Sequence, residues 1–210
     1  MFNECYSTSS GTFKSVFVSV LIQNRFCECS LMGFQYVSGV PSSGMNNPVG
    51  EILSKYRSRT RGPFADPVTT PFSRIIVGDG QRLTCEYMDS FGITHVLNCA
   101  DESACRVILP PDRYKCLNAI DSTDVHIYDR WYDEFKETMD KYLRNPECKN
   151  VYVHCQAGMN RSAALAAGYI VRKFGVPVEK VVQTMASQRP CVLTNVAFQK
   201  QLFEFAKKSA

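Results

Sequence analysis

The sequence predicts an α/β fold: a central, mostly parallel sheet of four to five strands flanked by helices. Two observations predict it. From residue 63 onward, short apolar runs of strand length alternate with longer segments whose apolar residues recur at helical spacing. Glycine or proline stands at several of the switches between the two patterns.

The elements follow in order. Residues 74–77 read as a strand, ended by Gly78 and Gly80. Residues 82–91 place Leu83, Tyr87, Met88 and Phe91 on one helical face, and Gly92 stops that helix. Residues 94–99, with Val96, Leu97 and Cys99 among them, are expected to form a buried strand. Residues 114–120 are expected to form another strand. Residues 129–143 carry Trp131, Phe135, Met139 and Tyr142 at helical spacing, with Pro146 beyond their end and Asp129 as the expected cap. Residues 151–153 are a short strand. Residues 161–174 form a helix of small residues stopped by Gly175. Pro177 opens the next helix. Thr194 or Asn195 caps the last one, which buries Phe198 and Leu202.

Composition sets the domain plan. A chain of 210 residues with 45% hydrophobic content, 13 Phe and 10 Tyr can build one sizeable core. Residues 1–62 are rich in Ser, Gly and Asn and show no sustained period, so they are expected to be a partly loop-like N-terminal extension. Residues 38–48 read as a linker and residues 57–61 as a small basic cluster. Residues 63–210 are the expected catalytic domain. The apolar run 16–22 is too short to span a bilayer, so a buried strand is expected there, with no secretory signal and no membrane partner. The net charge of +4 is scattered, which argues against a nucleic-acid footprint and mildly favours an anionic substrate. Ten cysteines in a chain of this length are expected to be mostly reduced thiols of an intracellular protein, cytoplasmic, nuclear or both. Cys27 and Cys29 lack partners at zinc spacing, so no metal is expected.

The chemistry is concentrated in residues 153–162. Cys155 ends a strand, Gly158 follows three residues on, and Arg161 follows six on at the start of a helix. A strand feeding a tight turn and then a helix N-terminus makes a nest of backbone N–H groups that binds a dianion. Gln156, Ala157, Gly158, Met159 and Asn160 supply that nest, and Arg161 adds a planar fork matching two phosphate oxygens. The same positive field acts on Cys155, which is expected to be a thiolate nucleophile. Ser162 is placed to donate a hydrogen bond to the sulfur when it leaves. His154 is expected to order the loop rather than act as a base. Expulsion of an alkoxide or phenoxide needs a proton donor, and Asp121, Asp124 and Asp129 are the upstream candidates.

The segment from His154 to Ser162 resembles the H-C-x-x-G-x-x-R-S/T loop of protein tyrosine phosphatases. Gln156-Ala157-Gly158 and Ser162-Ala163 are similar to the dual-specificity branch. Residues 92–98, 118–122 and 189–202 also resemble small dual-specificity phosphatases, so the resemblance covers roughly residues 68–208. It implies hydrolysis of phosphotyrosine and of phosphoserine or phosphothreonine in phosphoprotein substrates through a phosphocysteine. It selects Asp121 as general acid and gives Asn195 a supporting role beside the loop. It implies no cofactor, because Arg161 and backbone amides neutralise the phosphate charge. Asn160 stands where many members have serine, and it resembles RNA 5′-triphosphatases of the same superfamily. That enzyme and a catalytically silent phospho-binding module are the alternatives, so nucleic acid stays open as a partner. Cys99 closes the second strand, and a reversible disulfide with oxidised Cys155 is a further expectation from its position.

Overall fold

The computed structural model describes residues 3–4, 47–57, 68–70 and 74–208. The expectations for residues 16–22, for Cys27 and Cys29, and for residues 58–61 lie outside them.

The described elements are β1 (Asn3–Glu4), α1 (Pro48–Arg57), β2 (Val68–Thr69), β3 (Ile75–Asp79), α2 (Cys85–Ser90), β4 (Ile93–Asn98), β5 (Val107–Ile108), β6 (Tyr114–Cys116), α3 (Ile127–Arg144), β7 (Asn150–Cys155), α4 (Arg161–Phe174), α5 (Val178–Gln188) and α6 (Val196–Lys207). The main sheet has the order β2-β3-β7-β4-β6. β3, β7, β4 and β6 run parallel, and β2 is an antiparallel edge. A separate parallel pairing joins β1 to β5.

β7 lies at the centre, and its register fixes the site. Asp79 of β3 pairs with Cys155, while Asn98 of β4 pairs with His154. The C-terminal ends of three parallel strands therefore meet at Cys155, where ligands of open α/β sheets bind. Side chains alternate across the sheet. Ile75, Val77, Leu97, Val151 and Val153 enter the larger core with α1, α3, α4, α5 and α6. Ile76, Val96 and Tyr152 enter a smaller cluster with Leu83 and Met88 beneath α2.

Three local outcomes differ from the sequence expectation. Strand pairing stops at Cys116 instead of reaching residue 120, because Asn118 adopts a positive φ of 52° and turns the chain out of the sheet. α3 begins at Ile127 with His126 at the cap position, so Asp129 lies in its first turn and does not cap it. α2 begins only after Thr84, whose hydroxyl accepts the Tyr87 N–H.

α1 lies N-terminal to residue 63 and belongs to the same compact unit as the sheet. It buries Val49, Ile52 and Leu53 against α5 and α6, each worth about 1.5–3 kcal/mol of gross burial. Asn47 caps it by accepting the Gly50 N–H, and its own amide donates to Gln199 of α6. Gly175, at φ 64°, closes α4 in the left-handed conformation the sequence led one to expect. Among the described residues, no helix is long and apolar enough to cross a membrane.

Candidate active site

β7 delivers Cys155 to the sheet end, where neighbours hold the strand on both sides. The Gly80 N–H donates to the Cys155 carbonyl at 2.9 Å, and the Cys99 N–H donates to the His154 carbonyl at 2.7 Å. The chain then turns through residues 156–160 into α4. Gly158 has φ 60°, and a Cβ there would collide with the Gly78 carbonyl, so only glycine fits this close approach.

The loop's carbonyls are engaged from behind. Ala157 O accepts from Arg189 Nη2 at 2.7 Å, and Met159 O accepts from the Leu193 N–H at 2.7 Å. The peptides are trans, so the N–H groups of Gly158 and Asn160 point away from those supports. Arg189 is fully buried and faces buried Asp79, 3.6 Å away. Asp79 also accepts the Arg82 N–H, and its carbonyl accepts the Tyr152 hydroxyl. This buried pair fixes the loop from beneath. Sequence reading missed it: the strand was expected to end at Gly78, one residue short of Asp79, and Arg189 entered only with the resemblance over residues 189–202. The available signal was a strand-end aspartate and an arginine leading into Pro190, both beside glycine- or proline-marked turns.

The expected site residues converge. Cys155 is 2% exposed, and the Ser162 hydroxyl donates to its sulfur at 3.3 Å. Arg161 Nη1 donates to Ala119 O at 3.0 Å, while its buried Nε has no hydrogen-bond partner among the described residues. An anion oxygen in the loop would satisfy that orphaned donor. Asp121 arrives from the segment after β6. Its Oδ2 accepts from Asn160 Nδ2 at 3.1 Å and its Oδ1 from Asn195 Nδ2 at 3.0 Å. Asn195 also caps α6 through its Oδ1, so one side chain makes both contacts. The Asp124 backbone N–H donates to Ser122 Oγ, and the Asp129 carboxylate lies 3.8 Å from His126 Nδ1. Neither is tied to the nucleophile loop as Asp121 is. Gln156, Ala157 and Met159 complete the loop between Cys155 and Asn160.

His154 is completely buried, and burial, with the Arg161 charge adding to it, lowers its pKa from 6.5 to about 4. Its Nδ1 lies 3.2 Å from the Cys155 carbonyl, which can only accept, so Nδ1 carries the proton of the neutral ring. Between pH 6.5 and about 4 the unfolded chain binds a proton that the folded chain refuses. Stability is therefore full above pH 6.5 and falls as pH drops towards 4, by about 3 kcal/mol across the window. Urea unfolding at pH 7 and pH 5 is expected to show this loss, and His154→Asn should reduce it. An undiminished loss in the variant would assign the acid sensitivity elsewhere.

Cys99 lies beside the nucleophile strand, and burial, followed by the Cys155 charge, pushes its thiol well above the ordinary value. Cys99, Cys105, Cys116, Cys148, Cys155 and Cys191 are free of disulfides, whereas Cys85 is disulfide-bonded. Among the described residues, no group of three or more His, Cys, Asp or Glu side chains is placed to hold a metal ion.

The family model of the dual specificity phosphatase catalytic domain matches residues 75–208. The chain is 32% identical over 122 residues to human dual specificity protein phosphatase 22, covering 58% of this chain and 64% of that protein. It is 30% identical over 121 residues to dual specificity protein phosphatase 1 of Arabidopsis thaliana, covering 57% and 59%. The match thus spans less than two thirds of either relative. The crystal structure of human DUSP28 aligns with a TM-score of 0.58 at 19% identity, covering 71% of this chain and 96% of that one, a likeness of fold.

Proposed function

The chain belongs to the dual specificity phosphatase catalytic domain family, and from that premise we propose that it is a cysteine-dependent protein phosphatase acting on phosphotyrosine and on phosphoserine or phosphothreonine. One observation carries the reading. A carboxylate from the segment after β6 is hydrogen-bonded onto a glycine-turned loop that holds a cysteine, a serine and an arginine. Those are the groups that the two halves of phosphomonoester hydrolysis need.

In the first half, loop N–H groups and Arg161 hold the phosphoryl oxygens, and the Cys155 sulfur attacks phosphorus. The phosphorus–oxygen bond breaks, and the leaving oxygen takes the Asp121 proton. In the second half, water attacks the phosphocysteine and loses a proton to Asp121. The sulfur–phosphorus bond breaks, the sulfur departs with the Ser162 hydrogen bond, and inorganic phosphate leaves. No step requires a metal.

Ile120 and Val196, 52% and 48% exposed, directly flank the hydrogen-bonded Asp121 and Asn195. They give the mouth of the site apolar flanks suited to a tyrosyl ring. A nucleophilic thiolate needs reducing surroundings, which supports an intracellular setting with phosphoproteins as partners. Asn160, the residue that pointed to RNA 5′-triphosphatases, is engaged by Asp121 and Asn195, so it needs no RNA to account for it. The intact Cys155, Arg161 and Asp121 argue against a silent binding module.

A panel of phosphopeptides tests the reading, with triphosphate-ended RNA as comparison. Phosphate release is expected from phosphotyrosine and phosphothreonine peptides, fastest from phosphotyrosine, and not from RNA. Release from RNA alone, or no release at all, would overturn it.

A further inference from the structure

We propose that Asn160 is a positioning residue whose side-chain amide locks the Asp121 carboxylate over the nucleophile loop by joining it to Thr194 and Asn195. This inference rests on the phosphatase reading and extends it.

Asn160 occupies the N-cap position of α4, where asparagine ordinarily accepts a hydrogen bond from the first helical turn. It makes no such bond. Its Oδ1 instead accepts from the Asn195 N–H and from the Thr194 hydroxyl, each at 3.0 Å. A backbone N–H can only donate, so that contact fixes which end of the amide faces it. Nδ2 is thereby turned to Asp121 Oδ2. The same logic fixes Asn195. Its Oδ1 accepts the N–H groups of Ala197 and Phe198, which leaves Nδ2 for Asp121 Oδ1.

Each carboxylate oxygen is thus held by an amide that backbone donors have already oriented. Asp121 itself is exposed and lies in a segment without regular structure. A single hydrogen bond would let its side chain rotate into solvent, and two from different loops resist that rotation. The 193–195 segment is anchored in turn. The Leu193 N–H donates to Met159 O, its carbonyl accepts from Gln199 Nε2 at 2.6 Å, and its φ is held at 55°. The diverted Asn160 side chain also leaves the first-turn N–H groups of α4 to the bound anion.

The test is kcat over a series of aryl phosphates of rising leaving-group basicity, for wild type, Asn160→Ala and Asn160→Ser, each with Asp121 or with Asp121→Asn. Orthophosphate inhibition reports the integrity of the anion site. With Asp121 present, the Asn160→Ala loss is expected to reach on the order of tenfold for the most basic leaving groups and to shrink as leaving groups improve. Asn160→Ser keeps an acceptor for the Asn195 N–H and should lose less. Orthophosphate inhibition should be unchanged, and with Asp121→Asn the Asn160 substitutions should cost nothing more. A uniform loss across the series, a further loss beside Asp121→Asn, or weakened orthophosphate binding would overturn the assignment while leaving the phosphatase reading intact. Absence of wild-type turnover would remove that reading and this inference with it.

Discussion

Cys155→Ser is expected to lower kcat on a phosphotyrosine peptide by on the order of 10⁵-fold or more while the peptide still binds. The substituted oxygen would sit where the sulfur does, 2% exposed at the end of β7. A serine hydroxyl stays protonated at neutral pH and needs a base to attack. The neighbouring ring is too weak a base to serve, because complete burial lowers the His154 pKa to about 4. The anion site survives the substitution, since it is built from loop amides and the Arg161 guanidinium. Steady-state kinetics with calorimetric binding of the phosphopeptide checks both halves. Turnover within tenfold of wild type would mean the sulfur is not the nucleophile.

Asp121→Asn is expected to lower kcat by about 10²- to 10³-fold on phosphothreonine peptides and far less on aryl phosphates with good leaving groups. The amide matches the carboxylate in shape but cannot transfer a proton. It also brings an NH₂ group against one of two donors, Asn160 Nδ2 and Asn195 Nδ2, which now converge on a carboxylate. Asp121→Ala separates these effects, because it removes the proton donor without creating a donor–donor contact. Both variants should show the same dependence on leaving-group basicity. Equal losses on good and poor leaving groups would instead indicate a collapsed loop, and full activity would return the acid role to Asp124.

Much of this arrangement was legible because its signals are local. The strand-length segment ending in Cys99, Gly92 and Gly175 at helix ends, and the cysteine–glycine–arginine spacing each report on a few neighbouring residues. The need for a proton donor left Asp121, Asp124 and Asp129 as candidates, and Asp121 became legible only through the resemblance over residues 118–122. What escaped depends on contacts between distant segments. Asp79 and Arg189 meet only because β3 and the end of α5 both abut the nucleophile loop. The Asn160 side chain reads from sequence as part of an anion loop, and the fold gives it Asp121 and Asn195 instead. The early end of β6 follows from a positive φ at Asn118, which no propensity for a strand would suggest. α1 was missed for another reason. Asn47 and Pro48 are a helix-start pair, and Val49, Ile52, Leu53 and Tyr56 keep helical spacing, but they follow a serine- and glycine-rich stretch that masks them.

Rapid acid quenching of the enzyme during turnover of a phosphotyrosine peptide, followed by peptide mapping, bears most directly on the covalent route. The account predicts one phosphoryl group attached through sulfur at Cys155 and none on the Cys155→Ser variant. Turnover with no phosphoenzyme at any quench time, or with the phosphoryl group on another residue, would contradict it.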